Sequence, residues 1–150
     1  MSKKTDDFPP HSDLERLLSF YQAGLHEKAE QLAVSISRQF PNHPFSWKLL
    51  GALFNQQGRI PEALSAIQKS VKIDTQDAET YNNLGIVQME LGQLEESEES
   101  LRKAIFLQPK LSEAHNNLGN TLQKLDRLVE AEASHREAIT LRPKNAEAYA

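Results

Sequence analysis

The 150-residue sequence contains no cysteine. A disulfide framework and a thiolate metal site are therefore excluded, and no redox compartment is indicated. It has one tryptophan and two methionines, and no apolar run approaching the roughly 20 residues that a membrane-spanning helix needs. The N-terminus lacks the form of a secretory leader, because Lys3 and Lys4 are followed by no apolar stretch. Basic charge is not in excess: 17 Lys and Arg against 21 Asp and Glu give a formal net charge of −4. That balance argues against a general nucleic-acid binder, which needs a clustered basic face. There is no nucleophile motif, no glycine-rich phosphate loop and no helix carrying two histidines at ligand spacing. The expectation is a cytoplasmic protein with no catalytic residues, metal or cofactor, which binds neither nucleic acid nor membrane.

What the chain does contain is repetition. Tyr81-Asn82-Asn83-Leu84-Gly85 returns as His115-Asn116-Asn117-Leu118-Gly119, an offset of 119 − 85 = 34. Ala104-Ile105-Phe106-Leu107-Gln108-Pro109 returns at the same offset as Ala138-Ile139-Thr140-Leu141-Arg142-Pro143. One further step back reaches Trp47-Lys48-Leu49-Leu50-Gly51. A fixed period in this range marks a stacked-repeat architecture.

Each unit has the same internal order. The spacing of apolar residues predicts first helices over about Pro44 to Gln57, Ala78 to Leu91 and Ser112 to Leu125. Second helices follow over about Ile60 to Ile73, Leu94 to Leu107 and Leu128 to Leu141. Gly58, Gly92 and Asp126 break the chain between them, and such short loops force antiparallel hairpins. Pro44 suits a first helical turn, while Asp77 and Ser112 suit N-caps. Gly51, Gly85 and Gly119 fall inside helices, where glycine costs about 1 kcal/mol against alanine, so each is expected to mark a close helix approach.

An earlier, divergent unit keeps the register through Gly24, Ala29 and Pro41, with Leu17 where later copies carry glycine. Ser12, with Glu15 three residues on, reads as its capping box. Residues 1–11 read as a disordered tail and 12–150 as the repeat domain, divided at about 12–43, 44–77, 78–111, 112–145 and a partial 146–150. In that last piece Tyr149 falls at the aromatic position. The predicted fold is an all-α, right-handed α-solenoid of antiparallel hairpins, about four repeats plus the start of a fifth. Ile139, Leu141 and Tyr149 lack a following hairpin, so self-association through an uncapped C-terminal end is expected.

At its anchors the sequence resembles the tetratricopeptide repeat family, whose pattern is Trp-x2-Leu-Gly-x2-Tyr, then Ala-x3-Phe, then Pro. Here it runs Trp47-x2-Leu50-Gly51-x2-Phe54 with Ala63-x3-Ile67, then Tyr81-x2-Leu84-Gly85 with Ser97-x3-Leu101 and Pro109, then His115-x2-Leu118-Gly119-x2-Leu122 with Ala131-x3-His135 and Pro143. The resemblance implies a protein-interaction module that takes an extended peptide or partner protein in a concave groove lined by the first helices. The residues it places there include Lys48 and Asn55, then Glu79, Asn82, Asn83 and Met89, then Asn116, Asn117, Asn120 and Lys124. Side-chain amides both donate and accept, so they can pair with a peptide backbone of any sequence. Asn83 and Asn117, one repeat apart, form a ladder similar to the inner face of the N-terminal repeats of protein O-linked N-acetylglucosamine transferases. The carboxylate-clamp arrangement of chaperone-binding members is matched at Lys48 and Asn83 but broken by Ala52, Glu113 and Asn117. A rival reading makes the chain the targeting region of a larger glycosyltransferase, sulfotransferase or methyltransferase with its catalytic domain beyond Ala150.

Two clusters invite a chemical reading. His115 and His135 occupy anchor positions of one repeat, where a polar substitution at an aromatic site is favoured over a metal pair. Glu95, Glu96, Glu98 and Glu99 read as a solvated outer face, with Glu98 to Arg102 and Glu99 to Lys103 as i,i+4 pairs.

Overall fold

The computed structural model describes residues 8–142. Among them are eight helices and no strand: α1 (His11–Gln22), α2 (His26–Gln39), α3 (Pro44–Gln56), α4 (Ile60–Ile73), α5 (Ala78–Glu90), α6 (Leu94–Leu107), α7 (Ser112–Lys124) and α8 (Leu128–Leu141). They pair as four hairpins, an all-α helical-repeat solenoid. The second helices of the last three hairpins have the predicted bounds, and the first helices stop one residue short of them.

The chain divides into two compact units, one ending at Thr75 and the other beginning at Gln76. The first unit holds an aliphatic and aromatic core. Leu17, Ala29, Ala33, Ile36, Leu49, Leu50 and Leu53 are buried there, and Phe20, Tyr21, Phe45, Trp47 and Phe54 pack against them. The second unit is built differently. Its apolar cluster is Leu101, Leu118, Leu122 and Ala131, with Ile105 against it. Beside that cluster it buries the polar residues Asn82, Gln88, Ser97, Ser100 and Thr121.

Every hairpin turn uses the same device. Gly24, Gly58, Gly92 and Asp126 all have φ between +62° and +79°. The residue after each donates its N–H five residues back, as in Arg59 to Phe54 (2.8 Å) and Arg127 to Leu122 (2.9 Å). Together with the three-back bonds from Gly58 and Asp126 to Asn55 and Gln123, these close Schellman turns that satisfy the last carbonyls of the first helix.

The helix-interior glycines are close-approach points, as their placement predicts. A Cβ built on Gly51 would run into Ile67, one on Gly85 would lie 2.5 Å from Leu101 Cγ, and one on Gly119 would lie 2.6 Å from His135 Cε1. Each hairpin thus seats one side chain of its second helix over the bare backbone of its first. In the fourth hairpin that knob is an imidazole.

Two expectations about helix starts are corrected. Ser12 is not a cap: α1 begins at His11 with Pro10 at the cap position and no side-chain cap bond. Ser112 lies inside α7, and Leu111 holds the cap position without a cap bond. Asp77 does cap α5, accepting from Glu79 N (3.2 Å) and from Thr80 Oγ1 (2.7 Å). Asp77 and Leu111 are equivalent positions, so the helix starts at the same place with or without a capping side chain; hairpin packing sets it. Pro9 is buried, and Phe8 meets the His43 ring edge-on at 6.2 Å. The remainder of the tail, residues 1–7, and the start of a fifth repeat, with Tyr149, lie outside the described residues.

Candidate peptide-binding surface

The first helices carry the residues placed in the groove. Those in the first unit are Lys48 and Asn55, both half-buried. Asn55 Oδ1 is buried with no hydrogen-bond partner.

In the second unit, α5 supplies Glu79, Asn82, Asn83 and Met89, and α7 supplies Asn116, Asn117, Asn120 and Lys124. Their environments differ sharply. Glu79, Asn116 and Lys124 are exposed, while Asn83, Met89, Asn117 and Asn120 are half-buried. Asn82 is 2% exposed. It is therefore not an open groove contact, and its carbonyl accepts a hydrogen bond from Asn117 Nδ2 at 3.0 Å. One amide is spent orienting the other: Asn117 keeps its second N–H and its Oδ1 with its plane fixed from below. Asn116 is held as well, its Oδ1 lying 3.1 Å from His135 Nδ1.

A chain of buried polar groups runs beneath this face. Ser97 Oγ donates to the Gly85 carbonyl (2.7 Å) and lies 3.0 Å from Thr121 Oγ1, which reaches Met89 Sδ at 3.4 Å. Ser100 Oγ donates to Gln88 Oε1 at 2.6 Å. Sequence reasoning missed this relay, although its signal was present. Ser97 stands where the neighbouring repeats have Ala63 and Ala131, and Thr121 stands where they have Leu53 and Val87. Two polar residues at core anchors of adjacent repeats are unfavourable singly and satisfied together.

The histidine pair resolves as aromatic substitution. His115 Nε2 lies 2.9 Å from the Pro109 carbonyl, and Trp47 Nε1 donates to the Pro41 carbonyl at the same distance. Both rings latch to a carbonyl six residues back. Among the described residues no group of three His, Cys, Asp or Glu could hold a metal.

The acidic run is only partly a solvated face. Glu98 is 17% exposed and takes Arg127 Nη1 at 2.7 Å as well as Arg102 Nη2 at 2.9 Å. Burial alone would raise its pKa, but the hydrogen bonds from Arg127 and Arg102 outweigh that and hold the carboxyl below its usual value. Arg127 also pairs with Glu130 at 2.9 Å. The first unit repeats the arrangement with Arg59, Glu30 (3.0 Å) and Glu62 (2.7 Å). In both, an arginine at the start of a second helix braces its hairpin to the second helix before it. Lys103, expected to pair with Glu99, lies over the rings of Phe106 (5.7 Å) and Tyr81 (5.9 Å).

Sequence profiles of the TPR repeat match residues 51–92 and 87–126, and the tetratricopeptide repeat profile matches 112–145. The chain is a tetratricopeptide repeat protein. No curated protein sequence matches it significantly. Among solved structures it is similar to a crystal structure of MamA, with 20% identity, TM-score 0.82 and coverage of 96% of this chain and 84% of that one. It is also similar to MamA from Desulfovibrio magneticus RS-1, with 22% identity, TM-score 0.80 and coverage of 91% and 77%. PilF of Pseudomonas aeruginosa aligns at 21% identity and TM-score 0.78, over 88% of this chain and 60% of that one. These likenesses are likenesses of fold. Like other tetratricopeptide repeat proteins, this one is a protein-interaction scaffold. No helix among the described residues is long and apolar enough to cross a membrane.

Proposed function

We propose that the protein binds an extended peptide segment on the first-helix face of its second unit, with Asn83, Asn117 and Asn120 contacting the peptide backbone. The observation that carries this reading is the bond from Asn117 to buried Asn82. An amide already fixed in orientation loses little freedom when a ligand arrives, which favours binding. Asn83 and Asn120 are half-buried beside it, and exposed Glu79, Glu113 and Lys124 supply charges of both signs at the rim. Backbone pairing of this kind carries little sequence preference, so the rim residues and Met89 select among ligands. Lys48 and Asn55 are proposed contacts of the same kind in the first unit.

The test is a peptide array probed with the whole chain, followed by affinities for the captured peptides. Asn83→Ala with Asn117→Ala should weaken them all similarly, by roughly 0.5–1.5 kcal/mol for each net hydrogen bond lost. Asn82→Ala should weaken them too, without touching the ligand, by releasing Asn117. Unchanged affinity in a folded double variant, judged by circular dichroism, would refute the reading.

A further inference from the structure

Sulfur occurs in the sequence only at Met1 and Met89. Met89 is half-buried on α5, one turn from half-buried Ile86. Its position has a counterpart one repeat to either side, since 89 − 34 = 55 and 89 + 34 = 123, and both counterparts are amides, Asn55 and Gln123. A thioether therefore stands where the neighbouring repeats place an oxygen-bearing polar side chain. With Ile86 it forms the apolar, polarisable part of a face that also carries Asn83, Asn117 and Asn120.

The sulfur is held from one side. Thr121 Oγ1 donates to Met89 Sδ at 3.4 Å, and Thr121 is fully buried. A thioether sulfur has two lone pairs. The one facing Thr121 is closed to a reagent arriving from solvent, which leaves the other. Hydrogen peroxide converts a thioether to a chiral sulfoxide, and the lone pair that reacts decides the epimer. The sulfur attacks one peroxide oxygen, and an S–O bond forms as the O–O bond breaks. The departing hydroxide takes the remaining proton and leaves as water. Sulfur is oxidised by two electrons and the peroxide is reduced by two. Two thiol equivalents reverse the step, giving thioether, disulfide and water, through reductases that are each specific for one epimer.

The product suits the fold. The S=O and methyl groups of a methionine sulfoxide have the reach and shape of the C=O and NH2 groups of glutamine, the residue that the next repeat carries as Gln123. Oxygen added on the side away from Thr121 points out of the buried pair of Ser97 and Thr121 rather than into it. The change therefore falls on the surface, where an apolar contact becomes a hydrogen-bond acceptor.

We propose that Met89 is a site of reversible oxidation by hydrogen peroxide, steered to one sulfoxide epimer by Thr121, and that this oxidation switches the peptide preference of the second unit. The effect on peptides rests on the peptide-binding reading above, whereas the epimer preference does not. The experiment treats the 150-residue chain with hydrogen peroxide and locates the added oxygen by peptide mapping. The epimer ratio is then read from the fraction that each of the two stereospecific methionine sulfoxide reductases repairs. One epimer at Met89 should be in clear excess, and Thr121→Ala, which opens the closed side, should bring the ratio close to even. Ser97 keeps its bond to the Gly85 carbonyl in that variant, and the wild-type ratio stands as a test by itself should the variant fail to fold. Circular dichroism of the oxidised wild type should be unchanged. Captured peptides with aliphatic or aromatic side chains should bind the oxidised chain about fivefold more weakly, the scale of losing a half-buried apolar contact. Met89→Gln should reproduce that loss without peroxide, and Met89→Leu should abolish the response to it. A Met89 left reduced under conditions that oxidise free N-acetylmethionine, an even epimer mixture in the wild type, an excess that survives in folded Thr121→Ala, or affinities untouched by oxidation would each overturn the inference. An epimer excess in a chain that captures no peptide when reduced would instead refute the peptide reading, and the switch with it, so the two failures are told apart.

Discussion

Single residues decide how the second unit tolerates polarity in its interior. Ser97 and Thr121 are both fully buried, and each is a hydrogen-bond partner of the other. Ser97→Ala should therefore remove the bond to Thr121 and the one to the Gly85 carbonyl, and cost about 1–3 kcal/mol, because the buried groups left behind stay desolvated. Ser97→Ala with Thr121→Val reproduces the residue types of the neighbouring repeats and should restore most of that loss. A double-mutant cycle from urea unfolding measures the coupling, and additive losses would show that the two hydroxyls act independently.

The same scale explains what the amino-acid sequence could not disclose at the surface. Asn82 and Asn83 are adjacent and chemically identical, and the repeat pattern placed both in the groove. Adjacent helix positions differ by about 100° in direction, enough to turn one amide under the face and leave its neighbour at the edge. Only the three-dimensional packing says which. Glu98 was misjudged for a related reason. Its in-helix partner Arg102 was visible at i+4, while Arg127 comes from the next hairpin and has no signature in spacing.

Among elements, the helices were legible almost to the residue, because a 34-residue period fixes each position by several independent copies. The glycines at 51, 85 and 119 were also legible as packing sites, since a helix-interior glycine needs a reason. Caps were not. The capping residue contributes on the order of 1 kcal/mol, while burial of a hairpin's apolar face contributes more, so Ser12 and Ser112 did not mark boundaries. Turn chemistry gives the clearest test at this scale. Asp126 holds φ at +62° where the other hairpins place glycine. Asp126→Gly should raise the thermal midpoint, with a gain of about 1 kcal/mol, because a side chain is disfavoured in the left-handed region. A lower midpoint would mean that the Asp126 side chain has a stabilising partner.

For the whole molecule, the two arginine braces set the response to acid. Arg59 beside Glu62, and Arg127 beside Glu98 and Glu130, hold these carboxyls below the usual 4.5. A depressed folded pKa means the stabilisation is complete above 4.5 and is lost as pH falls through the folded values below it. The thermal midpoint should hence fall below about pH 4.5, and Arg127→Met should reduce that drop while lowering the midpoint at neutral pH. Exposed ion pairs are screened, so 0.5 M salt should shrink the difference between variant and wild type. An identical acid profile in the variant would remove the brace around Arg127 as a source of pH dependence.

The braces also fall at a spacing with practical meaning. Glu30 reaches Arg59 across the first hairpin boundary, and Glu98 reaches Arg127 across the third. At the corresponding positions between them the chain carries Leu64 and Gln93, which cannot form that ion pair. Recombination between Thr75 and Gln76 therefore leaves both bridges whole, whereas a crossover at residues 43–44 or 111–112 strands one charged partner on each fragment. Each bridged pair of hairpins has to move as one piece if its ion pair is to be kept.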